Sequence, residues 1–236
     1  AWGGAFCCGT SSLIRFGPLQ RIDGFPTDSV TEDYLVSLRL REIGYTTVYL
    51  NETLSVGLAP EGLKEYTTQR SRWALGFVQI FCGPSGPMST RRGIWLIDRI
   101  MLWETFLHWS ATHMFRLLGL VVPALYLLFD IQAVYANLAD AISHVAPYLI
   151  GNMTVMMWMT RGRVLPLMAD LSQLLCAQDI VRSVFAGLMR PKGHKFKVTA
   201  KGGDRSTRFV QWRLLDVFLF YLALSVAGVI RAFVLD

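Results

Sequence analysis

A chain of 236 residues with 53% hydrophobic and 17% charged residues falls short of the roughly 25% charge of an ordinary soluble domain. The same composition excludes a disordered protein, a collagen-like chain and a small disulfide scaffold. The net charge of +6 leaves open nucleic acid, anionic lipid or a phosphorylated substrate as partner. Cys7, Cys8, Cys82 and Cys176 show no CxxC or Cys/His metal spacing and read as reduced, cytosol-side thiols. The chain opens on AWGGAF, in the middle of a strand-like run, with no charged leader, and stops at Asp236 on the edge of an apolar run. It therefore reads as a piece of something longer.

Residues 1–104 read as water-soluble α/β. Ser29 followed by Glu32 has the spacing of a capping box and predicts a helix over about 30–43, which Gly44 ends. The β-branched and aromatic run TTVYL at 46–50 predicts a strand. A second helix is expected over about 61–82, stopped by GPSGP at 83–87.

Beyond Glu104 the pattern changes. Residues 105–129 carry one charge, Arg116; residues 141–160 carry none; residues 217–235 carry only Arg231. A membrane span needs about 20 apolar residues, so three spans are expected, the second interrupted by His144, Pro147 and Asn152. The alternative is a set of buried core helices. The 130–140 connection has no Lys or Arg, whereas 161–216 has eleven against four Asp and Glu. The positive-inside rule then places 1–104 and 161–216 in the cytoplasm and 130–140 outside. Leu167, Leu171, Leu174, Val181, Phe185 and Leu188 recur at helical spacing, which predicts an amphipathic helix over 164–189, either in the membrane interface or packed on protein.

Four elements carry candidate chemistry. Thr31, Glu32 and Asp33 fall in the first turn of a helix, where the dipole favours a charged carboxylate; a deprotonated Asp can act as general base, or can simply stabilise the helix. Gln69, Arg72 and Trp73 share one helical face. A guanidinium beside an amide suits a diphosphate and an indole suits sugar stacking, although an interfacial Trp with snorkelling Arg neighbours fits as well. Arg70 is expected to point elsewhere, toward the surface. FCCGT at 6–10 places small residues at a strand end, where a ligand could approach closely, or simply supplies two buried thiols. FKVTAKGG at 196–203 is basic and glycine-flanked, a mobile phosphate-contacting loop or a basic stretch on anionic lipid.

Together, TED (31–33), QxxRW (69–73) and FxVTxK (196–201) resemble the membrane-embedded family 2 glycosyltransferases, most closely the bacterial cellulose synthase catalytic subunits; FCCGT is similar to that family's FFCGS, with Cys7 and Thr10 as departures. The resemblance implies the carboxy-terminal part of a GT-A-like domain followed by about three membrane helices, an interfacial helix and a gating loop at 190–205. It implies inverting, processive transfer of glucose from UDP-glucose to the 4-hydroxyl of a glucan, and export of the polymer across the inner membrane. Asp33 would be the base, Cys8 and Trp73 would border the acceptor, and Gln69 and Arg72 would contact the diphosphate. Phe196, Val198, Thr199 and Lys201 would belong to the gate.

Mg²⁺ is expected for the whole enzyme, but the family's DxD has no match in this sequence, and neither has the PilZ domain through which cyclic-di-GMP acts. A periplasmic partner subunit is also implied. Another β-glucan, such as a 1,3-linked one, is the alternative product; a non-catalytic transporter or scaffold is the alternative class.

Overall fold

The computed structural model describes residues 4–90, 93–132, 135–194 and 211–235, with the backbone alone for Arg213 and Leu235. Its helices are α1 (Phe16–Arg21), α2 (Glu32–Glu42), α3 (Leu63–Phe81), α4 (Leu96–Leu107), α5 (His113–Phe129), α6 (Leu138–Met159), α7 (Pro166–Met189) and α8 (Trp212–Leu235). A π-helical turn, His108–Thr112, joins α4 to α5. The chain forms two compact units, Ala1–His113 with Gln178–Phe209, and Met114–Ala177 with Val210–Asp236.

In the first unit, α2 and α3 bury Leu35, Val36, Ala74, Phe77, Val78 and Ile80. The carboxy-terminal half of α7 adds Ile180 and Val184 to the buried set. Gly187 sits so close to Val78 and Leu75 that a Cβ there would lie 2.9 Å from Val78 Cγ1.

The α2 terminus follows from Gly44: at φ +89° it lets Tyr45 N–H reach back to Leu40 O and its own N–H to Arg41 O, the glycine-dependent stop of many helices. The start of α2 departs from expectation. The helix begins at Glu32, capped by Thr31 without a side-chain cap bond; the Ser29 hydroxyl oxygen, which a capping box would offer to a first-turn N–H, accepts from Thr31 instead. No capping box forms there.

Helix α3 matches the predicted 61–82 to within two residues at each end. The turn after it is anchored: the buried Ser85 hydroxyl donates to Glu42 Oε1 at 2.7 Å. Asp98 near the start of α4 pairs with Arg41 Nε at 2.6 Å and accepts the Trp95 N–H.

The expected strand at 46–50 is not formed; no strand occurs among the described residues, and 45–62 has no regular structure. A strand is completed by ladder bonds to a neighbour, and here Val48, Tyr49 and Leu50 stand largely exposed. The described chain is therefore helical where α/β was expected.

In the second unit, the arginines within long apolar helices, Arg116 and Arg231, are paired. Arg116 on α5 bonds Asp170 on α7. Arg231 on α8 donates to Leu127 O and to Asp130 Oδ2 at 3.1 and 3.0 Å, closing the carboxy-terminal end of α5. Gly228 allows this approach, since a Cβ would fall 2.5 Å from Leu127 Cβ; small residues serve helix contacts in apolar surroundings.

Among the described residues, two stretches are long and apolar enough to cross a membrane, Leu96–Phe129 and Leu214–Val234. The third expected span, 141–160, is helical as α6 but is not among them. Asp140, His144 and Asn152 dilute its apolar run. The predicted amphipathic helix is present as α7.

Candidate active site

The Thr31–Asp33 turn is built against α3 by a chain of hydroxyls. Ser29 Oγ has one proton, and it goes to Gly76 O at 2.9 Å. Thr31 Oγ1, 3.0 Å away, must then donate to Ser29 Oγ, which also accepts the Thr31 N–H. Val30 N–H is bonded to Gln79 Oε1 at 2.9 Å. Ser29, Thr31 and Gln79 are buried, where leaving such groups unpaired costs about 1–3 kcal/mol each. These bonds fix the first turn of α2 one to two turns beyond Gln69, Arg72 and Trp73 on α3.

Asp33 is half-buried. Its Oδ1 accepts the Tyr34 N–H at 2.8 Å. Burial pushes its carboxyl above the usual carboxylate value; the Tyr34 bond, exposed Glu32 and Arg72 modify this, Arg72 by lowering it. The carboxylate is thus close enough to Arg72 to feel its charge, and dry enough to hold a proton more readily than a free Asp. Tyr34 beside it is pushed up to about 12 by burial and then by the charges of Asp98 and Glu104, so it stays a neutral phenol.

The 6–10 segment lies over Asp33. A Cβ on Gly9 would sit 3.0 Å from Asp33 Oδ2, and Gly9 has φ +84°. Two features hold the segment there. The Cys7 N–H donates to Ser37 Oγ at 2.7 Å, one turn after Asp33. The Tyr49 hydroxyl accepts the Phe6 N–H at 3.4 Å and lies 3.6 Å from Cys8 Sγ. Cys8, one residue before Gly9, is exposed, whereas Cys7 is buried. The segment that carries Cys8 is thus brought to Asp33 through Gly9, and Arg72 is within electrostatic reach.

Gln69 and Trp73 join the group through the helix they share with Arg72. Arg70 does not point away as expected. Its guanidinium lies 4.9 Å from the Trp73 ring and 5.1 Å from that of Tyr66. Phe196, Val198, Thr199 and Lys201 lie outside the described residues.

Ser29, Ser37, Tyr49, Arg70, Gly76 and Gln79 are site-building residues that the motif reading passed over. Gly76 had a signal: glycine inside an otherwise good helix costs about 1 kcal/mol relative to Ala and marks a close approach. Among the described residues no three His, Cys, Asp or Glu side chains form a metal-holding group. The described side chains therefore do not fit a Mg²⁺ site.

Residues 3–166 match the family described as glycosyl transferase family group 2. The chain belongs to that family. It is 31% identical over 232 residues to the "Cellulose synthase catalytic subunit [UDP-forming]" of Pseudomonas fluorescens (strain SBW25), covering 96% of this chain and 30% of that one. The corresponding subunit of Xanthomonas axonopodis pv. citri is 31% identical over 229 residues, with 97% of this chain and 31% of the relative covered. "Cellulose synthase 1 catalytic subunit [UDP-forming]" of Komagataeibacter xylinus is 29% identical over 207 residues, 86% and 27%. The chain thus spans about 30% of the length of the first of these glycosyltransferase relatives.

Proposed function

We propose that this glycosyltransferase chain forms the acceptor side of a cellulose synthase: it takes the 4-hydroxyl of a growing β-1,4-glucan, receives glucose from UDP-glucose with inversion, and works processively. The observation that carries the reading is Asp33, half-buried beneath Gly9 of the segment that carries exposed Cys8, and within the field of Arg72. Asp33 would remove the acceptor hydroxyl's proton as that oxygen attacks the anomeric carbon and the UDP–sugar bond breaks. Arg72, with Gln69, would hold the departing diphosphate, since a guanidinium can donate two parallel bonds to phosphate oxygens. Cys8 and Trp73 would border the acceptor sugar. The chain would be the later part of a GT-A-like domain, with Phe196, Val198, Thr199 and Lys201 in a gate over UDP.

Mg²⁺ in the whole enzyme rests on the family resemblance, and no group among the described residues would hold it. A periplasmic partner subunit and cyclic-di-GMP control through a PilZ domain remain parts of this reading that rest on the resemblance. The test is incorporation of labelled glucose by membranes holding the full-length protein. The product should be alkali-insoluble and digested by a β-1,4-glucanase; digestion by a β-1,3-glucanase alone would assign the other linkage, and no polymer would favour a transporter or scaffold.

We also propose that the polymer leaves through an inner-membrane channel built by 105–236, with spans at 105–129, 141–160 and 217–235, the 164–189 helix at the cytoplasmic interface and the gating loop at 190–205. The distribution of Lys and Arg, none in 130–140 and eleven in 161–216, supports this topology. With only the two most apolar stretches crossing, the basic connection would fall outside. Helix α6, 22 residues long, reaches about 33 Å and can span. A cysteine at Gln132 should therefore label from outside the cell, and one at Gly193 only after permeabilisation. Labelling of both from outside would remove α6 as a span.

A further inference from the structure

We propose that Arg70 is a positioning residue for Trp73: its guanidinium, held between Tyr66 and Trp73, covers one face of the indole and fixes the ring, leaving the other face for a sugar. This rests on the reading of Trp73 as an acceptor-stacking residue. The geometry is specific. Tyr66, Arg70 and Trp73 follow at i−4, i and i+3 on α3, so they lie on one stripe of the helix. The guanidinium carbon is 5.1 Å from one ring centroid and 4.9 Å from the other, well inside cation–π range.

Arg70 Nε is buried and has no hydrogen-bond partner among the described residues. A buried guanidinium nitrogen without an oxygen partner is costly unless something else receives it. Here the aromatic faces do, through the attraction of the cation to the two rings. The ordinary surface role of an arginine, a carboxylate partner in water, is not what this one performs.

The consequence concerns binding. A free indole on a helix samples several rotamers, and a sugar that stacks on it must freeze them. With the cation on one side, most of that ordering is complete before the sugar arrives, and a ring already in place binds more tightly than a mobile one. Covering one face also removes the wrong stacking side, so the acceptor can approach from one direction only. The sequence motif names Trp73 and leaves Arg70 in a variable position, which is why its role is visible only in the coordinates.

The test uses the full-length enzyme in membrane vesicles, with cellohexaose as acceptor probe. Binding and elongation are measured for Arg70→Leu, Arg70→Lys, Trp73→Ala and the Arg70→Leu/Trp73→Ala pair. Arg70→Leu should weaken cellohexaose about fivefold, which is about 1 kcal/mol. The loss should fall on KM for the oligosaccharide more than on kcat or on KM for UDP-glucose. Arg70→Lys, which keeps a cation over the ring, should recover at least half of it. In the Trp73→Ala background Arg70→Leu should have no further effect.

An equal effect of Arg70→Leu with and without Trp73, or no effect on cellohexaose at all, overturns the proposal. If Arg70→Leu does not accumulate in membranes, the Arg70→Lys variant decides by the same KM split. Unchanged cellohexaose binding by Trp73→Ala would instead sink the stacking role itself, and the positioning role with it.

Discussion

Asp33→Asn should reduce glucose incorporation by at least about 10²–10⁴-fold, the usual worth of a general base, while UDP binding and folding persist. The reason is local. Asn is nearly isosteric, its Oδ1 can still accept the Tyr34 N–H that Asp33 accepts at 2.8 Å, and the Gly9 backbone above it has the same room. Only the capacity to take a proton is lost.

The pH behaviour follows from the direction of the shift. Burial raises the Asp33 carboxyl above its ordinary value, so the acid limb of kcat/KM, which reports the free enzyme, should lie at higher pH than that of a free aspartate. Between the unfolded and the raised native pKa, the native protein binds more protons than the unfolded chain. Stability contributed by this group is therefore greatest at low pH and declines as pH rises through that window. At neutral pH Asp33→Asn removes a partly desolvated charge and should leave thermal stability unchanged or raised. An inactive and more stable variant separates base from structural cap. Near-normal synthesis by Asp33→Asn would return Asp33 to stabilising the first turn of α2.

The parts of this architecture that depend on local chemistry could be read from sequence. Gly44 was expected to end α2 and does so through its positive φ, because only the backbone of that residue decides. The ends of α3 were legible for the same reason. What could not be read depends on partners distant in sequence. Ser29 has the spacing of a helix cap, but its hydroxyl is turned to the carbonyl of Gly76, 47 residues away, and the helix starts later, at Glu32. Residues 46–50 have strand composition, yet a strand needs a neighbour, and none pairs with them among the described residues.

Arg70 was assigned to the surface because charge usually goes there; two aromatic rings one turn either side were the overlooked signal. The motif residues divide in the same way. Asp33 and the segment that carries Cys8 are brought together by folds of the chain around Ser37 and Tyr49, which no motif spacing encodes. The Gln69, Arg72 and Trp73 stripe follows from helical periodicity alone.

Gly76→Ala should lower glucose incorporation by about 10²-fold although residue 76 touches no substrate in this mechanism. Its Cβ would fall 2.4 Å from Thr31 Oγ1, 2.6 Å from Thr31 Cγ2 and 2.9 Å from Thr31 Cβ. The last of these is not the end of a flexible chain, so backbone must move. Helix α3 cannot easily yield, because Ala74, Phe77, Val78 and Ile80 around position 76 are buried in the core. The Thr31–Asp33 turn is the more movable side, since its Glu32 and Asp33 are not buried and its position is set by the Ser29 and Thr31 hydrogen bonds.

A displacement near 1 Å at a reacting group can cost about 10²-fold in rate. The stability change should be the smaller effect. Overpacking costs about 1–3 kcal/mol, and replacing glycine by alanine inside a helix returns about 1 kcal/mol. The control is Gly17→Ala in α1, where an added Cβ meets nothing within 4 Å; that variant should keep full activity. Activity and thermal unfolding measured side by side decide the matter. If Gly76→Ala synthesises polymer at the rate of Gly17→Ala, then the contact between α3 and the Thr31 turn does not set the position of Asp33.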